Sequence, residues 1–264
     1  MTPVAAAADL RSARLTRIPR RPFTDTDATL DVRWGYQAQN ADRVQRVAQG
    51  ERIVGAKMGL TSAAKQATMG VHQPIAGFLT DAMRLPAGHN YDLLARTAQP
   101  RIEPEIAFRL GVVVDRPLTM ASAADAIDGI AAAAEIIDSR YAAYGFRLPD
   151  VVADNTSAAA FVIGDWIDPA AAGDLAALRC VFAADSRVLA SSTGAAILGH
   201  PLQALIHLSN HLSSHGGYLR PGAVVLAGAV TDAVTIAPGV TYRAEIENLG
   251  AVEFSTSPEQ RTTT

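Results

Sequence analysis

Arg101-Ile102-Glu103-Pro104-Glu105-Ile106-Ala107-Phe108-Arg109-Leu110 alternates apolar and charged residues with a period of two. That is the pattern of a β-strand, whose successive side chains point to opposite faces. Ile102, Ile106, Phe108 and Leu110 share one face; Arg101, Glu103, Glu105 and Arg109 share the other. Two glutamates at neighbouring positions of one face repel, so such a strand needs full solvation or a compensating cation. Pro104 removes a backbone donor between them, which points to a sheet edge or a bulge. An ordinary solvated strand face carries the same pattern, so the metal reading needs support from elsewhere in the chain.

Glu135 gives that support. It follows Ile130-Ala131-Ala132-Ala133-Ala134 and precedes Ile136-Ile137, an apolar setting in which a lone carboxylate is costly unless paired or metal-bound. Convergence of Glu103, Glu105 and Glu135 would make a hard oxygen site suited to Mg²⁺ or Mn²⁺, with positions open to water or substrate. Lys57, in Val54-Gly55-Ala56-Lys57-Met58-Gly59-Leu60-Thr61, reads as a cleft lysine or as a snorkelling surface one. Asp81 closes the apolar Phe78-Leu79-Thr80 and is the expected partner of Lys57. Asp154-Asn155-Thr156-Ser157 reads either as a loop for a substrate carboxylate or as a helix cap.

Outward from these residues, the spacing predicts helices over 33–49, 62–69, 125–134 and 201–215. On the first, Tyr36, Val44 and Val47 are expected on the apolar face. Strands are expected at 53–58, 101–114, 135–139, 161–163, 179–184, 187–190, 223–230, 232–236 and 241–247. Residues 74–88, with Pro74, Gly77, Pro86 and Gly88, read as loop, and 255–264 as a loose tail. The start carries Arg11, Arg14, Arg17, Arg20 and Arg21, an address, a polyanion-binding arm or simply a surface helix-to-loop segment. Helices early and strands late predict an α+β protein. Residues 1–75 form a mainly helical part carrying Lys57, and residues 76–264 a β-rich metal-binding body, the two acting as one unit.

Composition narrows the function classes. The chain has 264 residues, 49% of them hydrophobic, and a formal net charge of −3, which argues against a nucleic-acid binder. No apolar run is long enough to span a membrane and no secretory signal is evident. Cys180 is the sole cysteine, which fits a reducing, cytoplasmic setting. There is no Gly-x-Gly-x-x-Gly, no phosphate-binding loop and no Gly-x-Ser-x-Gly elbow. His207, His211 and His215 recur every four residues, a stripe that suits Zn²⁺ or a surface at a helix C-terminus.

Four segments taken together resemble one family. They are Lys57-Met58-Gly59-Leu60-Thr61, Gln99 to Phe108, Glu135-Ile136-Ile137-Asp138-Ser139-Arg140-Tyr141, and Pro149-Asp150-Val151-Val152-Ala153-Asp154-Asn155. The chain resembles, over about residues 9–253, the 2-keto-4-pentenoate hydratase / 4-oxalocrotonate decarboxylase family of the fumarylacetoacetate hydrolase superfamily. The resemblance implies Glu103, Glu105 and Glu135 as ligands of a divalent cation, and Lys57 as an active-site residue with Asp81 near it. Leu60, Asn155 and Ser157 are the implied substrate contacts. It further implies a mixed, strongly bent β-body with flanking helices and a small helical N-terminal part. Large homo-oligomers and a complex with a hydratase that uses the product are also implied.

Glu103-Pro104-Glu105, Ile137-Asp138-Ser139-Arg140-Tyr141 and Phe146-Arg147-Leu148-Pro149-Asp150 look closer to the decarboxylases; Tyr144-Gly145 and the histidine stripe depart from the family pattern. The implied reaction is metal-dependent decarboxylation of 2-oxo-3-hexenedioate to 2-hydroxypenta-2,4-dienoate, a step of meta-cleavage aromatic catabolism. Hydration of that dienoate is the alternative. Acylpyruvate hydrolysis and a non-catalytic partner subunit are more distant ones.

Overall fold

In the computed structural model, described over residues 1–258, Arg101–Leu110 is a strand, β5, at the centre of an eight-stranded mixed sheet. On one side of it lie β10 (Val224–Ala229), β1 (Ile53–Gly59) and β2 (Ile75–Thr80). On the other lie β6 (Ile127–Ile137), β7 (Ala158–Ile163) and β3 (Arg84–Leu85), while β11 (Val234–Thr235) pairs the start of β5. Register shifts in β1, β10, β5 and β6 mark bulges, which add twist and curl the sheet into a half-barrel. A five-stranded sheet contains, in order, β4 (Asn90–Tyr91), β13 (Gly250–Thr256), β12 (Thr241–Ile246), β8 (Arg179–Ala184) and β9 (Arg187–Thr193).

The alternation in β5 divides the core. Ile102, Ile106, Phe108 and Leu110 are fully buried with Ile130, Val225, Phe182 and Phe254 in the main core, which also takes in the second sheet and helix α7 (Leu202–Ser214). The opposite, carboxylate-bearing face of the curl continues into a smaller cluster of Ala107, Ala131, Ala133, Phe161, Leu226, Phe78 and Leu79. Helices α1 (Pro3–Thr16), α2 (Val32–Ala48) and α5 (Leu148–Ala153) pack around Phe23, Trp34 and Tyr141. The short helices are α3 (Ala63–Met69), α4 (Met120–Asp125) and α6 (Pro169–Ala172). No helix among the described residues is long and apolar enough to cross a membrane.

Several expectations are corrected. Of the helix expected over 125–134 only Asp125 is helical, as the last residue of α4, and the alanine run lies in β6 between β5 and β7. Alanine favours helix intrinsically, but Ala131–Ala134 are buried on both faces of the curl, where small side chains fit and packing overrides propensity. The stretch 74–88 contains β2, β3 and only short connections. Gly77 lies inside β2, where a Cβ would sit 2.6 Å from Thr156 Oγ1, so this glycine permits a close approach and marks no turn.

Val44 and Val47 of α2 are exposed; the helix instead buries Asp42 and Arg46, an ion pair at 2.8 Å that Arg14 of α1 joins. β13 extends to Thr256, which is buried and donates to the Ala237 carbonyl, so the tail begins later than expected; residues 259–264 lie outside the described residues. The division expected at residue 75 falls where β2 begins. Because β1 pairs with both β2 and β10, Lys57 is carried by the sheet and not by the helical part.

Candidate metal centre

Strand register brings the three glutamates together. Glu103 of β5 lies directly opposite Glu135 of β6, and Glu105 opposite Ala133, so Glu105 and Glu135 are diagonal neighbours on one face. One oxygen from each carboxylate falls within 4.8 Å of the other two. Glu105 and Glu135 are fully buried, and Glu103 is only 7% exposed. This is the only cluster of three or more His, Cys, Asp or Glu able to hold a metal among the described residues.

The partners of these carboxylates are few. Glu105 Oε2 accepts from the Gly228 N–H at 2.8 Å, while Glu105 Oε1 and Glu135 Oε1 have no partner. Gly228 has φ +112°, and a Cβ there would lie 2.2 Å from Thr61 Oγ1, so only glycine brings this N–H to Glu105. Lys57 Nζ stands 2.7 Å from Glu135 Oε2 and donates to the Thr156 carbonyl at 3.2 Å. Lys65 of α3 donates to Glu103 Oε1 at 2.6 Å. Three carboxylates against two ammonium groups leave a formal charge of −1.

Burial, then repulsion from Glu135, holds the Glu105 carboxyl well above the ordinary carboxylate range, with Lys57 opposing. Burial likewise raises Glu135, again against Lys57. Burial works against the charge on Lys65, but Glu103 beside it outweighs this and raises its pKa. Buried orphan oxygens are rare in folded proteins and call for a cation, water or a proton. A small, hard divalent ion fits the all-oxygen donor set and would favour the ionised form of all three glutamates.

The other expected site residues are placed as follows. Leu60 takes a left-handed conformation, φ 56°, at the turn from β1 to α3, where its carbonyl accepts from Gln66 Nε2. Asn155, Thr156 and Ser157 run consecutively through the left-handed region, with φ of 48°, 51° and 61°. Non-glycine residues hold such a run only when their surroundings impose it. Asn155 shows how: its Oδ1 accepts from the Phe78 N–H and its Nδ2 donates to the Phe78 carbonyl, locking the turn onto β2. The turn thereby presents the Thr156 carbonyl to Lys57, and Ser157 Oγ is buried beside it in sequence with no partner.

Asp81 does not join this group. In the β1–β2 register Lys57 faces Gly77, whereas Ile53 faces Thr80, so Asp81 lies past the far end of the pair. Its carboxylate accepts from the Arg52 N–H at 2.9 Å and Nε at 2.8 Å, bonds that hold its pKa below the usual range. The expected Lys57–Asp81 pair is corrected to Lys57–Glu135. Asp154 is likewise occupied, in a buried pair with Arg140. The histidine stripe sits outside this centre. The His211 ring lies tilted against Tyr36, centroids 4.6 Å apart, and against His215 at 4.4 Å, and burial pushes its pKa down to about 4.

Sequence reasoning missed Lys65, the Gly228 N–H and the Thr156 carbonyl. A backbone group leaves no mark in a residue pattern. Lys65 left a faint one, since a cation in the first turn of a helix opposes the helix dipole and implies an anionic partner.

A curled mixed sheet that buries three glutamates against a lysine has the donor set of a carboxylate site for a divalent cation. The chain belongs to the fumarylacetoacetate hydrolase family, whose C-terminal domain model matches residues 52–256. It is 42% identical to a 4-oxalocrotonate decarboxylase of Pseudomonas sp. over 239 residues, covering 90% of this chain and 92% of that one. It is 39% identical to a 2-keto-4-pentenoate hydratase of Burkholderia vietnamiensis, covering 93% and 94%. The solved structure of 4-oxalocrotonate decarboxylase from Pseudomonas putida G7, complexed with magnesium and adipate, superposes with a TM-score of 0.92 at 34% identity, covering 96% and 97% of the two chains. These decarboxylase and hydratase relatives are lyases.

Proposed function

We propose that this chain is a carboxy-lyase that converts 2-oxo-3-hexenedioate to 2-hydroxypenta-2,4-dienoate, a step suited to meta-cleavage aromatic catabolism in the cytoplasm. The observation that carries the reading is the trio Glu103, Glu105 and Glu135, buried with two partnerless oxygens against Lys57. These glutamates are the proposed ligands of Mg²⁺ or Mn²⁺, and the magnesium and adipate of the superposed decarboxylase support both the cation and a small-acid substrate. Bound there, the cation supplies Lewis-acid polarisation of a 2-oxo acid.

The chain's own groups do the rest. Lys57, held between Glu135 and the Thr156 carbonyl, keeps a buried positive charge where negative charge develops as CO₂ departs. Leu60 and Ser157 flank the turns beside Lys57 and are proposed to contact substrate, while Asn155 positions the second turn through Phe78. Asp81 is left out of the catalytic set. A homo-oligomer and a complex with a paralogous hydratase remain part of the proposal.

The hydratase relatives favour one second reading, addition of water to 2-hydroxypenta-2,4-dienoate at the same site. Offering both acids with Mg²⁺ and following CO₂ and the hydroxy-keto acid separates the two. CO₂ release supports the decarboxylase, hydration alone the hydratase, and neither product overturns both.

A further inference from the structure

Lys65 is a cation to which the chemistry above gives no task. Helix α3 buries none of its residues, yet its first turn brings Lys65 Nζ to 2.6 Å of Glu103 Oε1. An ammonium has three donors, and Glu103 is the only protein acceptor Lys65 has among the described residues. Its side chain is 31% exposed, whereas that of Lys57 is 3% exposed and held by two acceptors. Glu103 is also the one carboxylate of the three that retains accessible surface. Lys65 therefore stands at the open end of the cluster with donors to spare. The nearest rival, Arg101, shares this face of β5 but lies against the Tyr144 ring, 4.0 Å from its centre.

Charge says what those donors suit. Counting only the three glutamates and the two lysines paired with them, a divalent cation raises the formal charge from −1 to +1; Asp232, whose field also reaches Lys65, lies outside this set. Without Lys65 the loaded site would be neutral before any substrate arrived, and a dianion would enter with no net attraction. We propose that Lys65 is a specificity-determining residue that reads the second carboxylate of a dicarboxylic 2-oxo acid. This rests on the reading of the site as a metal-dependent lyase for 2-oxo acids.

Two consequences set this role apart from a structural one. Lys65 competes with the metal for Glu103, so removing it strengthens metal binding in the absence of acid. In the reaction, the C5–C6 bond breaks and its electron pair passes along the conjugated chain to the C2 oxygen, which takes up one proton. The dianion plus a proton thus yields CO₂ and the monoanionic dienoate. Negative charge leaves the distal carboxylate on the way to the transition state, so a cation there holds the ground state the tighter. Loss of Lys65 therefore raises KM for 2-oxo-3-hexenedioate and leaves kcat unchanged or higher.

The test compares 2-oxohexanedioate with 2-oxohexanoate, saturated acids of equal length that cannot push electrons from C6 to C2. Calorimetric titration of the Mg²⁺-loaded wild type, Lys65→Gln and Lys65→Arg reads the affinity for each. Lys65→Gln is expected to weaken the dicarboxylate about tenfold or more, the monocarboxylate by less than about threefold, and Lys65→Arg to restore most of the loss. Mn²⁺ titration without acid is expected to show Lys65→Gln binding as tightly as wild type or more so. Equal weakening of both acids, no weakening of either, or weaker Mn²⁺ binding overturns the role of Lys65. Failure of the wild type to bind either acid in a Mg²⁺-dependent way overturns the functional reading itself, and this inference with it.

Discussion

Lys57→Met isolates the electrostatic logic of the centre. The substitution keeps the length and apolar stem of the side chain while removing the ammonium 2.7 Å from Glu135 Oε2 and the donor to the Thr156 carbonyl. Both partners are buried, so the change strands a carboxylate in an apolar sheet interior. Removing one member of a buried ion pair typically costs about 3–5 kcal/mol. At roughly 2–4 °C per kcal/mol for a chain of this size, the loss in Tm is on the order of 10 °C. That deficit is expected in EDTA and is expected to shrink with saturating Mg²⁺, because the formal charge of the empty site falls from −1 to −2 and draws a cation more strongly. Turnover is expected to fall about 10²–10³-fold even with Mg²⁺, since the metal does not replace a cation placed at the developing charge. Thermal scans in EDTA and in Mg²⁺, with CO₂ release measured alongside, read all three quantities. A Tm in EDTA equal to that of wild type would refute the idea that Lys57 compensates a buried carboxylate.

Other outcomes follow from the same geometry. In chelated protein, Glu105 and Glu135 have raised folded pKa values, so their contribution to stability is fully present below the ordinary carboxylate pKa and lost as pH rises through the raised values. Tm in EDTA should therefore fall as pH rises through that window, and Mg²⁺ should abolish the fall. Asp81→Asn should leave CO₂ release within about threefold of wild type and Tm close to that of wild type, because Asp81 pairs only with the exposed Arg52. Gly228→Ala, which places a Cβ 2.2 Å from Thr61 Oγ1 at φ +112°, should cost about 3 kcal/mol in chemical denaturation and displace the N–H from Glu105.

What the sequence disclosed follows from what each signal encodes. Period-two alternation over 101–110 carries strand and face together, so Glu103 and Glu105 were placed from residue types alone. Glu135 was legible because a charge within Ala and Ile demands an explanation, although the same alanines misread as helix. Alanine fits either element, and only packing inside a tight curl decides between them. The Lys57–Glu135 pair was out of reach because its members lie on strands separated by β10 and β5, a matter of sheet order that no local spacing records. Asp81 misled for the same reason: proximity along the chain to an apolar run says nothing of which end of β2 meets Lys57. The buried Asp42–Arg46 pair on α2 was not legible, since its partner Arg14 arrives from α1; of the expected apolar face, Tyr36 packs inward while Val44 and Val47 are exposed.

The central claim is that three buried glutamates hold the cation on which decarboxylation depends. Its most direct test measures CO₂ release from 2-oxo-3-hexenedioate by wild type and Glu105→Gln, each after chelation and again after Mg²⁺ is restored. The account predicts that chelated wild type is inactive, that Mg²⁺ restores it, and that Glu105→Gln stays inactive at any attainable Mg²⁺ concentration. CO₂ release that survives chelation, or full activity in Glu105→Gln after Mg²⁺ is restored, would contradict it.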